Sequence, residues 1–459
     1  MTYLGLPVHH SKPRVSDFGN IIHKVEKKLA SWKCGHLSFG GRMVLINSCL
    51  SSIPLYCMSV FRLPDSVHVQ LDRIRSRFFW GGTQNDKKFH MANWKSLCRP
   101  KNDGGMGFLD TRAMNCALLG KWVFNILSGK QGLCYDLMRR KYNLRENALG
   151  MNYTKGSCFW NNIQNVKSLV MGNCKFEVGR GDSIRFWEDA WLDDLPLKIK
   201  CFGLYKVCSV QGASVCSIKQ DGWFCLFRRS LNNFEILQWE DVVGKCLEVS
   251  MKEESDKVVW MLNRNGFSSK SLYHWLVFGG IVDDRCRLVW RVAAPLKVKI
   301  FLWLVMHGKI QAGEQLKNRG WWGDPFCKWC GEMESVNHLM FQCSLSRLLW
   351  CFVRDAMGWQ RSLTDYRQIG GIQLGSMSAK KRLVSLGMVA AGAWTIWVTR
   401  NDFVFNNKIP SNVHVILYRL TNFVAQWMHL VKGSRRKAMM EGFALLRART
   451  DQLARARSG

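Results

Sequence analysis

Apolar residues recur at helical spacing along most of this chain. Between Asp17 and Trp32, the residues Ile21, Ile22, Val25, Leu29 and Trp32 trace one helix face. Lys24, Lys27 and Lys28 fall together on the opposite face, with Glu26 the nearby acid. A second apolar helix is expected from Gly41 to Ser52, stopping before Pro54 because the residue preceding a proline is pushed out of helical backbone. A third begins at Pro64-Asp65 and turns Val67, Leu71, Ile74 and Phe78 inward. Arg73 and Arg77 share another face of it, and Phe79-Trp80-Gly81-Gly82 ends it. Asp110 is placed to cap a further helix with Met114, Leu118, Trp122 and Ile126 on its buried side. Residues 1–157 thus predict a basic, helical region.

The period then shortens. Phe176–Val178, the turn Gly179-Arg180-Gly181-Asp182, and Ser183–Trp187 predict strand, turn and strand. Val258–Leu262, Asn263–Gly266 and Phe267-Ser268 predict a second hairpin, after which Ser269 or Ser271 caps a short helix through Tyr273 and Trp275. Residues 200–235 are too weakly patterned to assign, so 158–287 is taken as a linker with β-hairpins. Residues 288–360 hold an apolar helix (Val298, Phe301, Leu302, Val305), a Cys/His cluster and Leu348-Leu349-Trp350. Residues 379–459 predict two helices separated near Asn406–Pro410, then a basic tail in which 8 Lys and Arg from Lys432 onward face 2 Asp and Glu. Such a tail is expected to fray. The fold class is mainly α with small β-hairpins, an α+β arrangement of a helical bundle, a mixed linker, a small metal module and C-terminal helices.

Charge changes the picture most. The 459 residues carry 66 Lys and Arg against 34 Asp and Glu, a net of +32 with pI near 9.8, and 47% are hydrophobic. Length suggests about three domains with ample cores. Residues 1–157 alone hold 24 Lys and Arg against 9 Asp and Glu, a net of +15. That excess points to a polyanionic partner, nucleic acid before membrane. The apolar run from Leu383 to Val398 is interrupted by Ser385, Gly387 and Thr395 and falls short of a span, and the N-terminus lacks the order of a signal peptide. The 18 cysteines are therefore read as reduced thiols of an intracellular protein, nuclear or cytoplasmic, not secreted; Cys49, Cys57 and Cys116 sit in apolar periodic segments as core thiols. Arg180-Gly181-Asp182 is read as a hairpin turn.

The candidate chemistry lies in Cys327-Lys328-Trp329-Cys330, followed by His338 and Cys343. Three thiols and an imidazole at these spacings can close one tetrahedral, structural zinc site. Chance gives roughly 0.7 Cys-x-x-Cys pairs in such a chain, but roughly 0.02 with the His and third Cys added. Gly331 would let backbone amides turn toward the thiolates, and Glu334–Asn337 offer caps for a short helix carrying His338. Residues five apart lie about 140° apart around an ideal helix. Both His338 and Cys343 can therefore bind one ion only if that helix unwinds near Gln342.

Several runs together resemble one family, the C-terminal part of reverse transcriptases of plant LINE-type (non-LTR) retrotransposons. Tyr3-Leu-Gly-Leu-Pro7 resembles its signature after the polymerase palm. Trp32-Lys33, Leu37–Arg42 and Ile53-Pro54-Leu55-Tyr56 resemble the start of its thumb, continued by Phe79–Gly82, Trp94 and Gly104-Gly105-Met106-Gly107-Phe108. Val178–Ile184 with Phe186-Trp187 and Trp191-Leu192 resemble its linker. Trp290, Pro295, Lys297-Val298-Lys299, Phe301-Leu302-Trp303 and the Cys/His cluster resemble its zinc-binding domain. The resemblance implies a thumb that grips a template–primer duplex and a zinc-binding module.

Two-metal polymerisation requires clustered carboxylates. Asp193-Asp194 and Asp283-Asp284 read as loop acids, and the expectation is that this chain has no polymerase activity of its own. The expected function is sequence-nonspecific binding of RNA or an RNA–DNA hybrid, with Lys24, Lys27, Lys28, Lys33 and Arg42 neutralising phosphates and Arg73 and Arg77 assisting. Two alternatives stay open. One is an interaction module in which the zinc domain and some of the 21 Trp dock a polymerase-containing partner chain. The other is a decayed frame without selected role.

Overall fold

The computed structural model describes residues 2–3, 5–7, 13–32, 36–82, 88–142, 156–280, 282–370 and 378–455. In chain order the longer helices are α1 (Gly19–Ala30), α2 (Asp65–Trp80), α3 (Thr111–Leu127), α4 (Cys158–Met171), α5 (Asn233–Leu247), α6 (Leu296–Met306), α7 (Ser344–Met357), α8 (Ala379–Asn406), α9 (Val413–Trp427) and α10 (Gly433–Arg455). The strands are β1 (Thr2–Tyr3) with β2 (Leu6–Pro7), and β3 (Cys174–Glu177) with β4 (Lys257–Trp260), both pairs antiparallel. The protein is mainly α with small β elements, as the periodicity predicts. Contacts gather it into two units: 1–25, 51–71 and 110–277 in the first; 26–50, 72–109 and 278–459 in the second.

In the first unit, Asp110 caps α3 by accepting from the Arg112 and Ala113 amides. The buried side of α3 is broader than the sequence predicts. Asn115, Ala117, Leu119, Gly120, Val123, Ile126 and Leu127 are buried, while Met114, Leu118 and Trp122 are half-buried. Small and polar residues conceal that face from a hydrophobicity count. Asn115 is buried because it serves three backbone groups: it accepts from Leu63 N–H and donates to the Met58 and Phe61 carbonyls. Ala117, Val123, Trp160, Val166, Trp187 and Leu272 belong to one continuous core.

The strands exist, but their partners differ from those the spacing suggests. β3 pairs with β4, in the register Cys174↔Trp260 to Glu177↔Lys257, instead of each folding back on its neighbouring segment. The cause is a carboxylate. Asp256 accepts from the amides of Gly179, Gly181 and Ser183 at 2.7–3.0 Å and from the Ser183 hydroxyl at 2.7 Å. That clasp winds Gly179–Ser183 into a loop around Asp256, with Gly181 at φ +72°, and sets the two strands side by side. The Arg-Gly-Asp run is part of this loop. The unassigned stretch 200–235 contains helices Phe202–Val207 and Val215–Gln220 and an antiparallel bridge between Cys208 and Phe227. α5 follows behind an Asn232–Glu235 capping box. The helix Ser269–Val277 is capped by Ser268, whose hydroxyl accepts from the Ser271 amide, not by Ser269 or Ser271.

In the second unit α6 is buried on nearly every side, from Val298 through Met306 apart from Lys299. The glycine-rich run Gly104–Phe108 gains its meaning here. The indoles of Trp303 and Trp290 donate to the carbonyls of Gly104 and Gly105 at 2.9 and 3.0 Å. A Cβ on Gly105 would lie 2.0 Å from the Arg99 carbonyl oxygen, so only glycine fits. α8 is long and apolar enough to cross a membrane, yet 72% of its most apolar window is buried inside the protein. It is therefore read as a core helix.

The segment expected to fray is instead α10, 23 residues of helix to Arg455 that bury Met439, Gly442, Leu446 and Thr450. Its stripe escapes a hydrophobicity count because half of it is glycine and threonine.

Candidate metal centre and basic helix

The Cys327–Cys330 loop is a tight knuckle. The Cys327 amide donates to the Glu332 carbonyl at 2.7 Å and the Gly331 amide to the Cys327 carbonyl at 2.9 Å, with Gly331 at φ +79°. Phe326 and Met333 form an antiparallel bridge on either side. Ser335 caps the next turn, its hydroxyl accepting from His338 N–H at 3.0 Å. Residues His338–Gln342 then wind as a π-helix, closed by the Cys343 amide on the His338 carbonyl at 2.8 Å. A π-turn spans five residues, so it returns Cys343 to the same side as His338, where an α-helix would place it well away. The unwinding anticipated near Gln342 takes this form. Wider winding leaves carbonyls without helical donors; the Ser346 hydroxyl and Trp350 indole donate to those of Leu339 and Met340.

The four ligand atoms of Cys327, Cys330, His338 and Cys343 lie within 4.8 Å of one another. Sulfur–sulfur separations are 3.7 Å for Cys327–Cys343 and 4.0 Å for Cys330–Cys343, and Cys330 Sγ is 3.1 Å from His338 Nε2. Zn–S bonds of about 2.3 Å in a tetrahedron put sulfurs about 3.8 Å apart, so this donor set fits zinc. Among the described residues no carboxylate joins the cluster. The Cys343 thiol is lowered to about 5 because the Cys327 thiol donates to it, against the opposing effect of burial; the Leu345 amide and the Cys330 thiol add to the lowering. Cys327, which keeps the shared proton, is pushed up. A thiolate is the form that ligates a metal.

What holds this loop in place was not legible as a site. Glu334 lies between Cys330 and His338, and its carboxylate takes a two-pronged contact from Arg400 of α8: Nη2 to Oε1 at 2.6 Å and Nε to Oε2 at 3.2 Å. The Gly313 amide also donates to Oε1 at 2.8 Å. The two side chains are 4% and 2% exposed. Glu334 is therefore an anchor, not a helix cap. Asn337 makes a second tie, donating to Asp365 at 2.6 Å and accepting from the Tyr366 amide at 3.1 Å. Trp329, between the first two cysteines, packs against Phe403 at 4.8 Å.

The predicted nucleic-acid residues divide into groups. Lys24, Lys27 and Lys28 are exposed on α1 while Val25 is buried on its other side. Arg73 is exposed and Arg77 half-buried on α2. Arg42 is half-buried and donates to the Phe79 carbonyl at 3.2 Å, fastening the end of α2. Lys33 lies outside the described residues. The acids Asp193 and Asp194 bind Lys200 and Lys175, and Asp283 caps the helix Asp284–Arg291. Cys57 is a core thiol, its burial pushing it up to about 12, while Cys49 and Cys116 are half-buried.

Comparison with known proteins defines the class first. The family described as zinc-binding in reverse transcriptase matches residues 267–350, which contain all four candidate ligands. The chain is 32% identical over 152 residues to the "Uncharacterized mitochondrial protein AtMg00310" of Arabidopsis thaliana, covering 97% of that protein and 32% of this chain. It is 29% identical over 438 residues to the "Putative ribonuclease H protein At1g65750" of Arabidopsis thaliana, 92% of this chain and 68% of that protein. The chain belongs to the family of plant retroelement-derived proteins that carry the reverse-transcriptase zinc-binding domain.

Proposed function

We propose that this chain is a nucleic-acid-binding portion of a retroelement reverse transcriptase, without polymerase activity of its own, and that one zinc ion closes its Cys3His cluster in a structural role. The lysine face of α1 carries the first part of the reading. Lys24, Lys27 and Lys28 are exposed, and none has a carboxylate partner among the described residues. Like charges at this spacing cost a few tenths of a kcal/mol per pair, which an anionic partner offsets. Arg73 extends the candidate set; Arg77 is secondary, and Arg42 is already engaged at a helix end. Contacts of this kind grip phosphates of RNA or an RNA–DNA hybrid without reading bases. A reducing, intracellular setting, nuclear or cytoplasmic, is part of the same proposal.

The test is a salt titration on an RNA–DNA hybrid. Log affinity should fall against log salt by about 0.9 for each phosphate neutralised, and Lys27→Ala or Lys28→Ala should each reduce the slope by about 1. A flat response rejects the reading. Metal analysis of the purified chain should give close to one zinc per molecule.

A second reading has one observation in its favour: Trp322, just before the zinc knuckle, is fully exposed. A large ring left in water suits docking of a polymerase-containing partner chain. Nuclease-resistant capture of such a partner, lost in Trp322→Ala, would favour it.

A further inference from the structure

A cleft of about 400 Å3 opens on the second unit beside α6 and α8. Its rings include Phe39, Phe89, Trp394 and Trp397, and Lys88 and Lys297 stand among its lining residues, with no Asp or Glu among the described ones. The rings are held, not loose. Phe301 packs edge-on against Trp394 at 5.2 Å and tilted against Trp397 at 5.5 Å. Phe89 is 52% exposed, so one ring is presented to solvent. Cations already lie against two of these faces: Lys297 Nζ is 5.6 Å from the Trp394 centroid and Arg319 Cζ is 3.7 Å from that of Phe89. The cleft's volume is within the usual range for a small-molecule pocket.

Rings that offer flat apolar faces, with Lys88 and Lys297 the charged groups among the described lining residues, match a flat aromatic ligand carrying negative charge. An apolar peptide segment would fill the same space but gain nothing from the cations. We propose that this cleft receives an unstacked base of single-stranded nucleic acid, the base stacking on Phe89 or Trp394 while Lys297 meets a flanking phosphate. Because every base has a π-face, such a site holds a strand without choosing its sequence. This inference rests on the nucleic-acid-binding reading and deepens it, adding a base-dependent contact to the phosphate grip of α1.

The experiment compares a thymidine oligonucleotide with an abasic oligonucleotide of equal length, binding each to the full chain by fluorescence anisotropy. Phe89→Ala and Trp394→Ala should weaken the thymidine strand about 5- to 100-fold and the abasic strand less than about twofold, the loss of one stacked base. Trp394→Phe, which keeps a ring, should retain most of the affinity. Phe89 is exposed enough that its replacement leaves the fold intact, so an unfolded Trp394→Ala does not spoil the test. If the wild type binds both strands equally, or both variants weaken the two strands alike, the cleft proposal is overturned and the phosphate-binding reading stands. Failure of the wild type to bind either strand removes both. An effect of the variants confined to an apolar peptide assigns the cleft to protein docking and also overturns the proposal.

Discussion

Replacing Arg400 by Met should release the zinc loop without touching a ligand. Arg400 supplies two of the three hydrogen bonds found at the Glu334 carboxylate, and the third comes from the Gly313 amide. Both side chains are all but sealed from water. Removing one member of such a pair strands the other charge at low dielectric and costs about 3–5 kcal/mol. Glu334 sits four residues after Cys330 and four before His338, so the cost falls on the segment that must be ordered for the ligands to converge. Where metal binding and local folding are linked, 3 kcal/mol weakens apparent zinc affinity by about 100-fold.

Chelator competition at neutral pH measures that loss. Glu334→Gln alone should weaken binding similarly, by leaving Arg400 without its carboxylate. The double variant Glu334→Gln, Arg400→Met removes both charges while its amide can still accept from Gly313, and should recover to within about tenfold of the wild type. Single variants with unchanged zinc affinity, or strictly additive losses in the double variant, would refute the anchoring role. Global unfolding is a poorer readout, since a chain of two units need not melt in one step.

Cys330→Ser should abolish stoichiometric zinc while the helical circular dichroism of the first unit is largely kept, because none of that unit's core depends on the ion. Asp256→Ala should destabilise the first unit by about 3–5 kcal/mol in denaturant titrations, as two buried amides, a part-buried one and a hydroxyl lose their acceptor. Burial alone would raise the Asp256 carboxyl, but the Ser183 hydroxyl and the three amides outweigh it and hold it below 3.8. Its stabilisation is therefore fully present above the unfolded value and is lost as pH falls through the lowered folded value, so Asp256→Asn should flatten the acid limb of the stability profile while leaving pH 6–8 (roughly) parallel to wild type. Gly105→Ala should cost at least about 2 kcal/mol and shift the near-ultraviolet signal of Trp290, because the added carbon meets the Arg99 carbonyl.

Sequence periodicity was enough for the elements whose burial is carried by large apolar residues. α1 and α2 lie close to where the pattern puts them, and Val67, Leu71 and Phe78 are buried as expected. It failed where burial is carried by small or polar groups, and on α3 it also missed the buried Leu119, Val123 and Leu127. Asn115, Gly120, Gly442 and Thr450 face cores, and Arg75 is 1% exposed because Asp72 and the Leu109 carbonyl accept from it. No hydropathy count marks such residues: Asn115 and Arg75 are held by groups 34 to 57 residues away, Thr450 by the Leu446 carbonyl one turn back, and the glycines by close packing.

The candidate metal ligands were legible in the sequence alone. Thiol and imidazole chemistry with short spacings leaves few other ways to use Cys327, Cys330, His338 and Cys343, and the family's motifs are likewise local runs of residues. Tertiary structure decided how those ligands converge. The π-turn through Gln342 forms where Ser346 and Trp350 satisfy the carbonyls it frees, and the loop is fixed by an ion pair to a helix some sixty residues away (Glu334 to Arg400, |i−j| = 66). The strand pairing of β3 with β4 was decided in the same way, by Asp256 gathering amides it meets only in the folded chain. Local chemistry is written in neighbouring residues; hydrogen bonds and ion pairs between distant ones exist only once burial has removed the competing water.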